Sequence, residues 1–411
     1  MATLVGSVYA GAEAVTDRRA STLCLLAALI PAAAGAEPSA STLASHPQAA
    51  AFMAEMASRH GFDRAELEPL FADAKLRPSV IERISRPAEA LPWHAYRKIF
   101  LSPSRAEAGA EHWAAHADLL AAAEARFGVA AEIIVAIIGV ETFYGRHRGS
   151  DPVLESLATL AFDYPPRASF FRSELEQLLL LAREEALDVA ALRGSYAGAM
   201  GLPQFIPSSY RRLAIDFDGD GRRDLFDNPA DAIGSVANYL AQSGWRPGES
   251  VASPARVRGD GYRELLQRGL EPSMPLAELS AVGVRSAGHP QAERAALLTL
   301  EGEQGSEYWL VFDNFYAITR YNRSPLYAMA VRDLGREVLQ QYLQPDGDLA
   351  RVEHVQTAKL QRLLLDRGFD PGPIDGLRGP QTEAALASFR SIVASGLARR
   401  GDAAVVEALA M

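Results

Sequence analysis

Among 411 residues there is one cysteine, Cys24, and it lies in an apolar segment near the N-terminus. Downstream of it no disulfide can form and no thiol can act as a nucleophile. The HExxH, CxxC and phosphate-loop patterns are absent, as is the Gly-x-Ser-x-Gly elbow, which leaves the common metalloprotease, redox, nucleotide and serine-esterase chemistries without a motif. Basic residues are outnumbered, 41 Lys and Arg against 51 Asp and Glu. The net charge of -10 excludes a general nucleic-acid binder, because neutralising phosphates takes a basic surface. Apolar runs long enough for a membrane span, roughly 20 residues, are also missing.

What the N-terminus does contain is an address. Arg18 and Arg19 precede "ASTLCLLAALIPAAAGA", which ends in Ala34, Gly35 and Ala36 before Glu37. Charge, then an apolar run, then small residues is the order of a secretory signal peptide, expected to end with residue 36. The first 17 residues fit it poorly, so translation is expected to begin downstream of Met1. Thr22 and Leu23 stand where a lipid-anchor signal has small residues, and no anchor is expected. An exported chain without disulfides must rely on its core and on any metal it binds.

The length suggests two or three domains. From Gln48 to about Arg126, apolar residues recur three and four apart, and "AAFMAEMASRHGF" and "AEHWAAHADLLAAAEARFGV" both stop at a glycine, as helices do. "AEIIVAIIGVETFYG" is apolar nearly all round and reads as a central buried helix. "SELEQLLLLAREEALDV", residues 173–189, is amphipathic, and Asn228 and Pro229 mark the cap and first turn of another helix. "RAALLTLEGEQGSEYWLVFD" reads as two strands joined by a glycine-containing turn, placing a small β subdomain at about 250–307. Past the polar "QPDGDLARVEH", residues 355–390 give a helix, a Gly/Pro turn and a second helix capped by Thr382 or a neighbour.

Four stretches could carry chemistry. In "IIGVETFYGRHRG", Glu141 closes a run of large apolar residues. Charging a carboxyl there costs several kcal/mol unless a partner compensates. Such a group either stays protonated, as a general acid requires, or pairs with Arg146 or Arg148; position alone does not decide between them. "GSYAGAMGLPQFIPSSY" combines glycines with Ser195, Tyr196 and Gln204, which suits close backbone approach and uncharged hydrogen bonds to a sugar, or simply close helix packing. "DFDGDGRRDLFDNPAD" places Asp216, Asp218 and Asp220 at positions 1, 3 and 5 and Gly221 at 6, the start of an EF-hand calcium loop. It departs from that loop at position 12, where Asp227 stands, and at position 8, where Arg223 does; a solvated acidic turn is the lesser alternative. In "FDNFYAITRYNRSPLYAMAV", Tyr316, Tyr321, Asn322 and Tyr327 suit a saccharide groove, although an aromatic stripe at this spacing also suits a core.

Together with "LPWHAYRKIF", "PVLESLATLAFDYPPRASFFRSEL" and "DAIGSVANYL", these stretches resemble the lytic murein transglycosylase B family over most of residues 45–345. "LQRLLLDRGFDPGPIDGLRGPQTEAALASFR" separately resembles helical peptidoglycan-binding modules. The resemblance implies a mainly α protein. A lysozyme-like α+β catalytic region with its small β subdomain would occupy residues 37–350, and a small all-α wall-binding domain residues 353–411. It places the single catalytic acid on Glu141, gives Ser195 a part in positioning substrate, and has Gln204, Tyr321, Asn322 and Tyr327 line the cleft. It also lengthens the metal loop, so that the ligands become Asp216, Asp218, Asp220, the Arg222 carbonyl and Asp231, with a structural Ca2+ and no cofactor for the chemistry. The expected partner is the peptidoglycan glycan strand, the expected place the periplasm at the wall, and the expected state a monomer. The expected reaction cleaves the MurNAc–GlcNAc β-1,4 bond and leaves a 1,6-anhydromuramic acid end. Hydrolysis of the same bond by water, and wall binding without catalysis, are the alternatives.

Overall fold

A computed structural model of the chain describes residues 42–85, 91–286, 292–343, 357–358, 360–362, 364–365 and 369–393. The expected signal peptide lies outside these residues, as does part of the expected wall-binding domain. Among the described residues no helix is long and apolar enough to cross a membrane. Helices dominate, with a five-stranded antiparallel sheet and a two-stranded one that pairs Asp151–Pro152 with Arg193–Gly194.

The chain divides into two compact units that alternate in sequence. One takes residues up to 90, then 141–235 and 321–324; the other takes 91–140, 236–320 and 325 onward. The division therefore runs through the expected catalytic region 37–350.

In the first unit, helix Pro47–His60 buries Ala49, Phe52, Met53 and Met56, the residues spaced three and four apart. Pro47 sits in its first turn, where a missing N–H is harmless, and Gly61 ends it at φ 66. Helix Val153–Asp163 is buried from Val153 to Phe162 except at Glu155 and packs on helix Ala168–Glu184, which contributes Phe171, Leu175, Leu178 and Leu181. Each such fully buried leucine or phenylalanine contributes roughly 1.5–3 kcal/mol. The pattern over 173–189 predicts this second helix five residues late; Ala186, at φ 52, stops it.

In the second unit, helix Pro325–Tyr342 packs on Pro103–Ala115 and on Trp93–Phe100. The predicted strands are Arg294–Gly302 and Gly305–Val311, paired in register from Ala296↔Val311 to Gly302↔Gly305. Three further strands, Ala252–Val257, Met274–Pro275 and Val284–Ser286, complete a five-stranded sheet. Leu265, Leu279, Val284, Leu297, Leu310 and Phe312 form the core of this subdomain.

Within the C-terminal segment, Leu360, Leu364, Ala385 and Leu386 make a small core. Gln361 organises the turn: its Nε2 lies within 3.0 Å of Asp375 Oδ1, the Leu377 carbonyl and Thr382 Oγ1, and its Oε1 accepts from Gly376 N–H. Thr382 lies inside the first turn of helix Pro380–Val393, and its hydroxyl donates to the Pro371 carbonyl at 2.9 Å.

Arg362 of this segment pairs with Glu132, and Glu124 stands beside that pair. Burial, and then the charge of Glu132, push the Glu124 carboxyl up to about 7, against the pull of Arg362 and of the Ala131 N–H. A carboxyl that binds its proton more tightly folded than unfolded costs stability as pH rises from its ordinary 4.5 through 7. Glu124→Gln is therefore expected to raise the melting temperature at pH 8 and to change it little at pH 5. Equal shifts at both pH values in thermal melts would show that the charge is not the cause.

Candidate active site and metal loop

Glu141 sits in the last turn of helix Ala131–Thr142, only 1% exposed, at the end of a helix whose residues from Ile133 to Ile138 are all buried. The turn after it is forced. Phe143 and Tyr144 take φ 50 and φ 56, a left-handed conformation that bulky residues avoid, and Gly145 follows at φ 88. Gln204, at φ 52, repeats the strain in the second motif, so three of the four left-handed non-glycine residues among those described belong to these two loops. Strain of about 1–3 kcal/mol per residue persists only where the surroundings impose it.

Those surroundings are specific hydrogen bonds. Thr142 Oγ1 donates to the Leu202 carbonyl at 2.9 Å and accepts from Gly145 N–H. Gln204 Nε2 donates to the carbonyls of Arg148, at 3.0 Å, and Gly201, at 2.9 Å. The two loops also touch where side chains are missing: a Cβ on Gly149 would lie 2.2 Å from the Gly194 carbonyl oxygen, and one on Gly194 would lie 2.2 Å from that of Ala199. Tyr321 anchors a third segment by donating to the Pro203 carbonyl and setting its ring edge-on to Phe205, 5.8 Å between centroids.

The basic residues after Glu141 have other partners. Arg148 donates to the carbonyls of Gly145 and Phe226 and forms its ion pair with Asp227 at 2.9 Å. Arg146 stacks on Phe143 at 4.8 Å. Pairing of Glu141 with Arg148, open from the sequence, is replaced by the bond to Asp227.

The other expected site residues divide by exposure and use. Ser195 is 1% exposed, and its Oγ accepts from the N–H groups of Ala197 and Ala199, so the oxygen shapes its own loop while its proton has no acceptor among the described residues. Gln204 is equally buried, and its Oε1 accepts no hydrogen bond among them. Tyr321 and Tyr327 are 0% exposed and Asn322 is 3% exposed, its Oδ1 accepting from Ser324 N–H. Tyr321 thus holds the Gln204 loop from behind. Tyr327 lies in the other unit, in the first turn of helix Pro325–Tyr342. Thr142 and Arg148, which the sequence did not single out as scaffold, do the tying; their signal was the placement of both beside Glu141 in one short motif.

Downstream, the aspartates of 216–231 fold into a tight loop with Gly219 and Gly221 at φ 80 and φ 89. Carboxylate oxygens of Asp216, Asp220 and Asp231 lie within 4.8 Å of one another. Asp216 accepts from the N–H groups of Gly219, Asp220 and Gly221, and Asp231, 0% exposed, accepts from those of Phe217 and Asp224, both at 2.7 Å. Burial first, then Asp218 and Asp216, raise the Asp231 carboxyl above its ordinary range. Asp218 falls outside the cluster: its Oδ2 takes the Asn228 amide at 2.9 Å, which lowers its pKa. Three hard oxygen donors converging on one point, one of them fully buried, fit a divalent cation such as Ca2+.

One buried acid at a helix end, beside a glycine-rich loop with free sugar-type hydrogen-bonding groups, on a helical body with a small sheet, defines a lysozyme-like protein. The profile described as "Transglycosylase SLT domain" matches residues 44–336, and the chain belongs to that family. The membrane-bound lytic murein transglycosylase B of Escherichia coli (strain K12) is 43% identical over 308 residues, 72% of this chain and 83% of the relative. The structure of Escherichia coli lytic transglycosylase Slt35 in complex with calcium is 42% identical, with TM-score 0.66 over 74% of this chain and 96% of that one. SltB3 from Pseudomonas aeruginosa, in complex with NAG-anhNAM-pentapeptide, is 34% identical, with TM-score 0.64 over 87% of this chain and 97% of that one.

Proposed function

We propose that this chain is a lytic transglycosylase that cleaves the MurNAc–GlcNAc β-1,4 bond of peptidoglycan and leaves a 1,6-anhydromuramic acid end. The observation that carries this reading is Glu141: a carboxyl with 1% exposure, at the end of a buried helix, before a strained turn that three sets of hydrogen bonds hold in place. Most glycosidases use two carboxylates, the second to attack the sugar or activate water. Here the substrate supplies the second function.

Glu141, acting as the acid, gives its proton to the glycosidic oxygen as the bond to muramic acid C1 breaks. The substrate's own acetamido carbonyl stabilises the cation. Glu141, now a carboxylate, takes the proton from the C6 hydroxyl of the same sugar, and O6 closes onto C1. The acid is regenerated and no water is consumed. An intramolecular nucleophile raises the effective concentration, which lowers the entropic part of the barrier. The proton of Ser195 and the Oε1 of Gln204 are the polar groups available to hold the sugar.

Asp216, Asp220 and Asp231, completed by the Arg222 carbonyl and by Asp218 in exchange for its bond to Asn228, would hold a structural Ca2+ that fixes the loop without taking part in the reaction. Export through the signal segment would place the enzyme at the wall, and residues 353–411 would keep it there by raising the local concentration of the site at the polymer. Removing residues 353–411 is expected to weaken sacculus binding more than it slows cleavage of short soluble fragments; equal losses would make the segment purely structural. Mass spectrometry of products released from sacculi tests the main proposal. Ends lacking one water support it, and reducing ends in their place would show a muramidase.

A further inference from the structure

The five-stranded sheet has a face that the steps above do not use. Its inner face carries the subdomain core, with Ala255, Val257 and Val284 packed against Leu265, Leu297 and Leu310. The opposite face is covered at strand Arg294–Gly302, where Leu298 and Leu300 are buried and helix Trp93–Phe100 packs, and at Trp309, which Arg332 overlies at 4.7 Å. At the end formed by strands Ala252–Val257 and Val284–Ser286 it is bare, and the residues there are arginines. Arg256 and Arg285 are direct cross-strand partners, and Arg258 is the next residue on the same face, its N–H bonded to the Gly283 carbonyl at 2.9 Å. All three are exposed.

Like charges directly opposite one another on neighbouring strands destabilise a sheet, and the register sets Arg256 and Arg285 about 5 Å apart at Cβ. Arg258 stands about 7 Å further along its strand. Nothing in the chain offsets the three: among the described residues none of their guanidiniums makes a hydrogen bond or an ion pair. Arg97, Lys98, Arg246 and Arg362 of the same unit all pair with carboxylates, and the acid nearest in sequence, Asp260, is taken by Arg263 at 3.2 Å. A charge on an edge strand blocks unwanted pairing. That role needs Arg285 alone, since strand Ala252–Val257 is paired on both sides. The net charge of -10 weighs little here, because charges more than about 8–10 Å away are screened and the local cluster is positive.

We propose that Arg256, Arg258 and Arg285 form a docking surface for an anionic phospholipid bilayer, their guanidiniums meeting headgroup phosphates while the chain stays outside the hydrocarbon. A guanidinium fork takes two phosphate oxygens at once. A bilayer presents many phosphates in one plane, which suits cations spread over an open sheet face better than a single ion in a cavity would. Val282, 38% exposed and just before Gly283, adds an apolar side chain at this end of the sheet, a contact that a bilayer interface rewards and a solvated wall peptide does not. The surface is independent of the reaction assigned to Glu141.

Co-sedimentation of the purified protein with phosphatidylcholine vesicles, with and without phosphatidylglycerol, tests the surface at low and at high salt. Wild type is expected to sediment with the phosphatidylglycerol vesicles only, and less so at high salt. Each arginine near such a surface strengthens binding about fivefold, so Arg256→Gln, Arg258→Gln and Arg285→Gln combined should weaken it about 100-fold. Arg285→Glu separates binding from folding: it sets a carboxylate opposite Arg256, so the melting temperature should hold or rise while vesicle binding falls. Cleavage of short soluble glycan fragments should be the same in wild type and in both variants. Wild type that ignores phosphatidylglycerol vesicles, or a triple variant that binds them as wild type does, would overturn the surface. Loss of sacculus binding with vesicle binding kept would assign the arginines to the wall instead, and a parallel fall in fragment cleavage would assign them to the reaction; either result would overturn the proposal.

Discussion

Glu141→Gln is expected to lower the rate of product release from purified sacculi by at least ~10²-fold, with binding of sacculi retained. The amide keeps the shape and volume of the side chain and removes the proton that the glycosidic oxygen must receive. It also removes the base that the C6 hydroxyl needs, so one substitution strikes both halves of the reaction. Because the group is 1% exposed, a melting curve must accompany the assay, and the amide should leave folding intact since it can still donate and accept. Near-normal turnover in a folded Glu141→Gln protein would sink the assignment. A lesser loss is expected at positions that only position the sugar, because removing one neutral hydrogen bond changes a barrier by about 0.5–1.5 kcal/mol.

The sequence made the acid legible because chemistry and pattern coincide there: ten mostly large apolar residues make a glutamate conspicuous. It made the hairpin Arg294–Gly302 and Gly305–Val311 legible for a related reason, since alternation and a glycine turn are local signals. The remaining strands were not, because Pro254 and Pro275 stand in two of them and Val284–Ser286 is only three residues long. Proline removes a ladder donor, and only the neighbouring strands show that the donor is not needed. The site residues were hidden in proportion to the sequence distance of their partners. Tyr321 bonds a carbonyl 118 residues away, and Arg148 pairs with Asp227, 79 residues on. A tyrosine that suits a groove by composition proves fully buried because its hydroxyl is needed behind the loop. Asp218 shows the same on a short scale: motif position 3 suggests a ligand, while Asn228 ten residues later takes up its carboxylate.

Calcium is expected to raise the melting temperature of the wild-type protein, and a chelator to lower it. A ligand that binds only the folded state stabilises it by about 2.7 kcal/mol at a concentration one hundred times its dissociation constant. In a unit of this size each kcal/mol moves the midpoint by roughly 2–4 °C, so a shift of about 5–10 °C is the scale to look for. The choice of variant decides what the experiment means. Asp231 accepts two buried backbone N–H groups and Asp216 accepts three, so replacing either dismantles the loop whether or not a metal is bound. Asp220 is exposed and, among the described residues, accepts only from Arg222 N–H, at 2.9 Å, which makes Asp220→Ala nearly silent in the metal-free protein. Its melting point in chelator should match that of wild type, and the calcium-induced rise should be largely lost. An Asp220→Ala protein that responds to calcium as wild type does would place the ion elsewhere, and a wild type indifferent to both calcium and chelator would remove the metal from the account. Cleavage well below the melting point should continue in chelator, because no proton transfer assigned to Glu141 passes through the loop; the ion's contribution is to keep the segment from Asp216 to Asp231 folded.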